Sequence, residues 1–154
     1  MYEFRKATLG DIEALARTRV RFLCDGRDDP PHLRKKLLDN NAEFFLNAMS
    51  DDSFIAWIAV HDGEIIATSG LTVYSIPPNR VCPTGKVAYL SNMFTLSEYR
   101  RQGIGSKLLE LIMDEARQHG CERVILNATG MGRGLYEKFG FEHSEDSMWY
   151  CPGR

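Results

Sequence analysis

Residues 92–109 read NMFTLSEYRRQGIGSKLL, and the order of residue types along this stretch sets the fold. With the preceding KVAYLS it begins as a β-branched and aromatic run that predicts a strand over 86–96, followed by a polar turn. From Gly103 the apolar residues Ile104, Leu108, Leu111, Ile112 and Ala116 recur at helical spacing, with Gly120 as the stop signal. A helix start carries unsatisfied N–H groups and partial positive charge, so it attracts anions wherever side chains leave room. Gly103 and Gly105 leave that room, and Arg100, Arg101 and Lys107 add charge. A pyrophosphate uses such a concentration of donors best.

Two familiar nucleotide loops fail letter by letter. A dinucleotide fingerprint G-x-G-x-x-G needs a small residue where Leu108 stands, and a P-loop needs lysine directly after its second glycine, where Ser106 stands.

Outward from this stretch the chain reads as mixed α/β. YEFRKAT predicts a first strand, and Thr8 to Asp11 has capping-box spacing. Ile12, Leu15, Ala16, Arg19, Val20 and Leu23 then form one helical stripe that ends near CDGRDDPP. A second helix begins about Pro31, with Leu33, Leu37, Leu38, Phe44 and Phe45 along its buried side. SFIAWIAV and EIIATSGLTVYSI flank an Asp-Gly pair, the favoured hairpin turn. Downstream, RVILNAT predicts a short strand, GRGLYEKF a short helix, and SMWYC a last strand.

The 154 residues suit a single domain over 1–154 with a real core. Nineteen basic against 21 acidic residues give a net charge of -2, which predicts no affinity for nucleic acid or an anionic membrane surface. No apolar run is long enough for a membrane span, and the N-terminus lacks an apolar leader, so a cytoplasmic protein is expected. The four cysteines and four histidines are scattered without ligand spacing, and no metal is expected. A homodimer is left open.

The Arg100-x-x-Gly103-x-Gly105 spacing after a strand, with LYEKFGFE downstream, resembles the GNAT superfamily of N-acetyltransferases. The resemblance implies a mixed, mostly antiparallel central sheet flanked by helices, with a splayed central strand pair. It also implies acetyl-CoA as co-substrate. Family loops of this kind bind the CoA pyrophosphate through backbone N–H groups, which carries over to Arg101, Gln102, Gly103, Ile104, Gly105 and Ser106, with Arg100 assisting. Pantetheine is expected to pair with Met93, Phe94 and Thr95 like an added strand. An N–H near Met93 or Phe94 would polarise the thioester carbonyl, a contribution of about 3 kcal/mol.

Tyr136 matches the tyrosine that relatives place beside the CoA sulfur as general acid. The base is not identified: Ser91 and Asn92 offer a water site, and Glu64 or Glu145 could bring charge from a loop. Thr129 stands nearest the asparagine with which many relatives orient pantetheine, and Asn127 is the alternative. Cys82, Cys121 and Cys151 have no histidine beside them to suggest a nucleophile. The expected reaction is direct attack by a primary amine in a ternary complex, the amine belonging to a small molecule, a protein N-terminus or a lysine. Asp25, Asp28 and Asp29 could attract such a cation but read equally as a solvated turn. The rival class is a CoA-binding sensor without turnover.

Overall fold

The computed structural model describes all 154 residues and builds one five-stranded sheet in the order β1-β2-β3-β4-β5. The strands are β1 (Glu3–Lys6), β2 (Phe54–His61), β3 (Glu64–Ser75), β4 (Lys86–Thr95) and β5 (Arg123–Ile125). Helices α1 (Ile12–Leu23) and α2 (Pro31–Ser50) lie between β1 and β2, α3 (Ile104–Gln118) joins β4 to β5, and α4 (Arg133–Phe139) follows. Neighbouring strands are antiparallel except β4 and β5, which α3 connects as a parallel pair. The expected sheet type is therefore present, with the parallel pair at the end of the sheet.

The hairpin between β2 and β3 forms where the sequence places it. Asp62 and Gly63 both take positive φ, 49° and 80°, the conformation whose twist matches the flanking strands. Apolar residues alternate onto two faces. Leu15, Ala16, Phe45 and Ala48 of the first two helices pack on Phe54, Ala56 and Ile58 of β2. On the other face Leu109, Ile112 and Ala116 of α3 pack on Leu71, Ala88 and Leu90. A fully buried leucine or isoleucine at such a site stabilises by about 2 kcal/mol.

Residue 115 interrupts the apolar face of α3 with a buried carboxylate. Its Oε1 accepts from Trp57 Nε1 at 3.0 Å and pairs with Lys6 Nζ at 2.6 Å. Trp57 and Lys6 are opposite each other in the β1–β2 register, so one carboxylate ties two strands to one helix.

Helix α1 is entered through a single turn of 3-10 helix over Leu9–Asp11. Thr8 N–H donates to Asp11 Oδ2 at 2.7 Å, and the Arg5 guanidinium grips both carboxylate oxygens at 2.8 and 2.9 Å. This hydrogen-bonded guanidinium holds the Asp11 carboxyl at about 2, against its partial burial. Because the folded value is depressed, the stabilisation is present above the ordinary aspartate range near 4 and is lost as pH falls toward 2. Asp11→Asn is expected to cost about 1 kcal/mol at pH 7, reduced by solvent screening at the rim, and much less at pH 2. Urea denaturation at the two pH values checks this.

Three expectations change. On α2, Phe45 is buried, but Leu33 and Phe44 are more than a third exposed: Leu33 lies in the first half of the helix, away from the buried Phe45 and Ala48, and Phe44 covers the edge of Phe45 and Phe54 with its other side in solvent. Strand β5 stops at Ile125, and 126–129 take no regular structure. The last strand anticipated over SMWYC does not form: Met148, Trp149 and Tyr150 are 95%, 82% and 81% exposed, and β5 has no outer neighbour. β-propensity describes fit to a pleated, half-buried surface, and these side chains pack on nothing although the outer edge of β5 is free. No helix is long and apolar enough to cross a membrane.

Candidate active site

The β4–β5 ladder pairs only Val87 with Arg123, Ala88 with Val124 and Tyr89 with Ile125. Strand β4 continues six residues further, to Thr95, with no partner on that side. The two strands therefore part at Tyr89, leaving backbone donors and acceptors of 90–95 facing an opening.

A bulge lies within that segment. Thr68 pairs with Phe94 and Gly70 with Ser91, so Ser69 on β3 faces both Asn92 and Met93. Asn92 absorbs the extra residue with φ at 56°, a left-handed conformation that asparagine tolerates better than most residues. Thr68 Oγ1 donates to its carbonyl at 2.7 Å. Its side chain is 3% exposed, and neither Oδ1 nor Nδ2 has a hydrogen-bond partner.

At the end of β4 the chain makes a 3-10 turn over Ser97–Tyr99 and enters the glycine-rich loop. Arg101 and Gly103 both have positive φ, 59° and 78°, and Gly103 is the N-cap of α3. The first helical backbone bond runs from Lys107 N–H to Gly103 C=O, so the amides from Arg101 to Ser106 remain undonated. A Cβ built on Gly103 would meet nothing within 4 Å, and one on Gly105 would come no closer than 3.7 Å to Leu135. Packing within the protein does not require glycine at 105. The space in front of these amides is open, which fits a pyrophosphate.

Side chains of the loop divide by task. Arg100 turns back, its Nε donating to Thr95 C=O at 2.9 Å and its guanidinium lying 5.9 Å over the Phe94 ring. Gln102 takes the Tyr2 hydroxyl and Arg101 is exposed. Ile104 is buried, and Ser106 is exposed at the first turn. Along β4, Met93 packs on the α3 side and Phe94 against Phe22 of α1, with ring centroids 5.3 Å apart. Thr95 lies beside Gly105.

Across the opening, Tyr136 of α4 is 9% exposed among Leu109, Ile112 and Leu90. Burial raises its phenol above the usual tyrosine value, which keeps it protonated at neutral pH. Its ring needs glycine at 132, where a Cβ would lie 2.9 Å from Tyr136 Cε2. Thr129 caps the entry to α4 through its carbonyl, which accepts from Gly132 and Arg133 N–H at 3.1 Å. Asn127 instead reaches across to β4, donating from Nδ2 to the Tyr89 hydroxyl at 3.2 Å. A cleft of about 1200 Å³ runs beside these elements, lined by Val124, Asn127 and Tyr136 among others.

No carboxylate hydrogen-bonds to Ser91 or Asn92. Glu64 opens β3 at the hairpin, six residues before Gly70, which at strand rise is about 20 Å from the Ser91 register. Glu145 is exposed in the C-terminal segment and lines the cleft that also holds Asn127 and Tyr136. Of the acids at 25, 28 and 29, only Asp25 lines the shallow hollow formed with Arg17, Arg21, Arg27, Arg34 and Lys35, and that hollow is cationic on balance. Arg19, which the sequence places in the helical stripe of α1 without a functional role, is half-buried beside Phe22. Its signal was a cation inside the apolar stripe of α1.

A family model described as "Acetyltransferase (GNAT) family" matches residues 17–141. The chain belongs to the GNAT acetyltransferases. Acetyl-CoA-dependent acetyl transfer is general to this family. A predicted acetyltransferase from Clostridium acetobutylicum, crystallised with acetyl-CoA, superposes with a TM-score of 0.89 at 30% identity, covering 98% of this chain and 96% of that one. The uncharacterized N-acetyltransferase YjgM of Escherichia coli is 26% identical over 152 residues, 97% of this chain and 86% of its own. Glucosamine 6-phosphate N-acetyltransferase of Arabidopsis thaliana is 27% identical over 103 residues, 67% of this chain and 68% of its own. Against this GNAT background the parted strands and the undonated amides fall together at one site.

Proposed function

We propose that this GNAT protein, acting as one domain, transfers the acetyl group of acetyl-CoA to a primary amine by direct attack in a ternary complex. The observation that carries the reading is the parting of β4 from β5 at Tyr89, continuous with six undonated amides at 101–106. The amides and the N-terminal end of α3 receive the pyrophosphate, and the free edge of Met93, Phe94 and Thr95 receives pantetheine as a strand would. Acetyl-CoA supplies an acyl group already activated as a thioester.

The chain's own groups then manage charge and protons. A backbone N–H near Met93 or Phe94 polarises the acyl carbonyl. Tyr136 Oη, held protonated by burial, donates to the departing sulfur. An amine with a lysine-like value near 10.4 is mostly protonated at pH 7, so its proton must leave before attack. The unpartnered Asn92 amide and Ser91 can hold the water that takes it. Asn127 is committed to Tyr89, which favours Thr129 as the side chain turned to pantetheine. The named activity of the Arabidopsis relative is acetyl transfer to a small amine, which supports a small-molecule acceptor.

That no carboxylate is hydrogen-bonded to Ser91 or Asn92 favours one rival, a CoA-binding sensor without turnover. Thiol release across a panel of amines separates them. A transferase releases CoA well above the no-amine rate with at least one amine, whereas a sensor binds acetyl-CoA and releases none. Acetylated protein trapped with acetyl-CoA alone would replace direct attack with a covalent route.

A further inference from the structure

Arg19 is a cation in an apolar stripe. It stands one helical turn from Leu15 and Ala16, both fully buried, and its guanidinium lies 5.9 Å over the ring of Phe22. That ring packs on Phe94, at the bulged part of β4. Arg5, Arg17 and Arg117 pair with Asp11, Glu13 and Asp114, and other arginines without a side-chain partner, such as Arg21, Arg101 and Arg133, are exposed to water. Arg19 has no ion pair, and its ordinary value is lowered by desolvation, with only the Tyr89 phenol acting in the opposite sense. A half-buried guanidinium without an acceptor is costly, because the N–H donors turned inward have lost water and gained only the face of the Phe22 ring.

Tyr89 is the residue where β4 and β5 part. Its oxygen accepts from Asn127 Nδ2, and its own O–H has no acceptor in the protein. Two unspent donors, from α1 and β4, therefore lie in one layer: Ala88 and Leu90 face α3, so Tyr89 projects to the α1 side of the strand that flanks the opening. A planar guanidinium fork beside a hydroxyl matches a carboxylate, which accepts two or three such bonds in one plane. A phosphate dianion would need a second cation, and Tyr89 and Asn127 are neutral.

We infer that Arg19 and Tyr89 bind a carboxylate on the acceptor, so that the amine acetylated belongs to an amino acid. The inference rests on the acetyl-transfer reading for the word acceptor, but the carboxylate subsite stands on its own geometry. It also explains why α1 keeps a buried cation in its core-facing stripe: the charge is neutralised when substrate arrives.

The test uses the full chain and three probe sets: the twenty amino acids, their carboxamides, and O-phosphoethanolamine. In thiol-release assays at least one amino acid is preferred over its amide by about a hundredfold in kcat/KM. Arg19→Met raises KM for that amino acid by a similar factor, leaves kcat within a few-fold and leaves CoA affinity unchanged. Its melting temperature is equal to or above that of wild type, because a buried charge has gone; a merely structural arginine would lower it. Arg19→Lys restores part of the KM. Equal use of acid and amide, preference for the phosphate, or an unchanged KM in Arg19→Met overturns the inference.

A parallel binding arm needs no turnover. With CoA in place of acetyl-CoA, thermal shifts with the same probes are read for wild type and Arg19→Met. Acid-selective shifts that vanish in the variant, without thiol release, keep the carboxylate subsite and sink acetyl transfer. Turnover blind to the carboxylate does the reverse. No acid-selective shift together with no acid-selective turnover overturns the subsite.

Discussion

Gly105→Glu lowers CoA affinity by at least about a hundredfold while the melting temperature stays at or above that of wild type. The two effects come from the same position in α3. Gly105 lies in the first turn of the helix, where a negative side chain is favoured by the unsatisfied N–H groups, by about 0.3–1 kcal/mol. Replacing glycine within a helix adds a similar amount. The new side chain has space, since the nearest atom to a Cβ is 3.7 Å away. It occupies the volume in front of the undonated amides with charge of the same sign as a pyrophosphate. Isothermal titration with CoA beside a thermal melt reads both numbers. Unchanged affinity would remove the loop from the site, and a large loss of stability would show that glycine is needed for packing.

Tyr136→Phe is the second large effect, a fall in kcat of about two to three orders of magnitude with CoA affinity within a few-fold. The hydroxyl makes no hydrogen bond within the protein, so its removal leaves no partner stranded and stability is retained. Burial raises the phenol value, so the acid stays protonated through the neutral range and its loss appears only on the alkaline side of the pH profile. The wild-type profile therefore rises with pH as the amine loses its proton, and the variant keeps that rising limb at a lower level. An unchanged kcat at saturating substrates would take the acid role from Tyr136.

What could be read from the sequence was what is local. The Asp62-Gly63 turn needs two residues of positive φ, and the loop before α3 needs open amides, so each declares itself within a few letters. The parting of β4 and β5 is not local. It depends on where a parallel ladder stops, which no residue of β4 encodes alone, and it came only with the family resemblance. Spacing placed Thr129 nearest the pantetheine position with Asn127 as the alternative, and the bond from Asn127 to Tyr89, 38 residues away, leaves no mark in the local sequence. Arg19 was visible as a charged letter in an apolar stripe, yet its lack of a partner is a three-dimensional fact. SMWYC misled for the opposite reason: strand-forming residues specify a strand only when their side chains find a face to pack on, and these remain exposed beside a free edge.

Glu115 likewise gave no signal, since Lys6 and Trp57 lie far away in the chain. Eleven residues, roughly 16 Å of helix, separate it from the front of α3. Sliding α3 by one turn would strand a buried carboxylate and release both its partners. The helix is thus indexed from its rear: the first two strands of the sheet set its axial position, and with it how far the glycine-rich mouth stands from the end of β4.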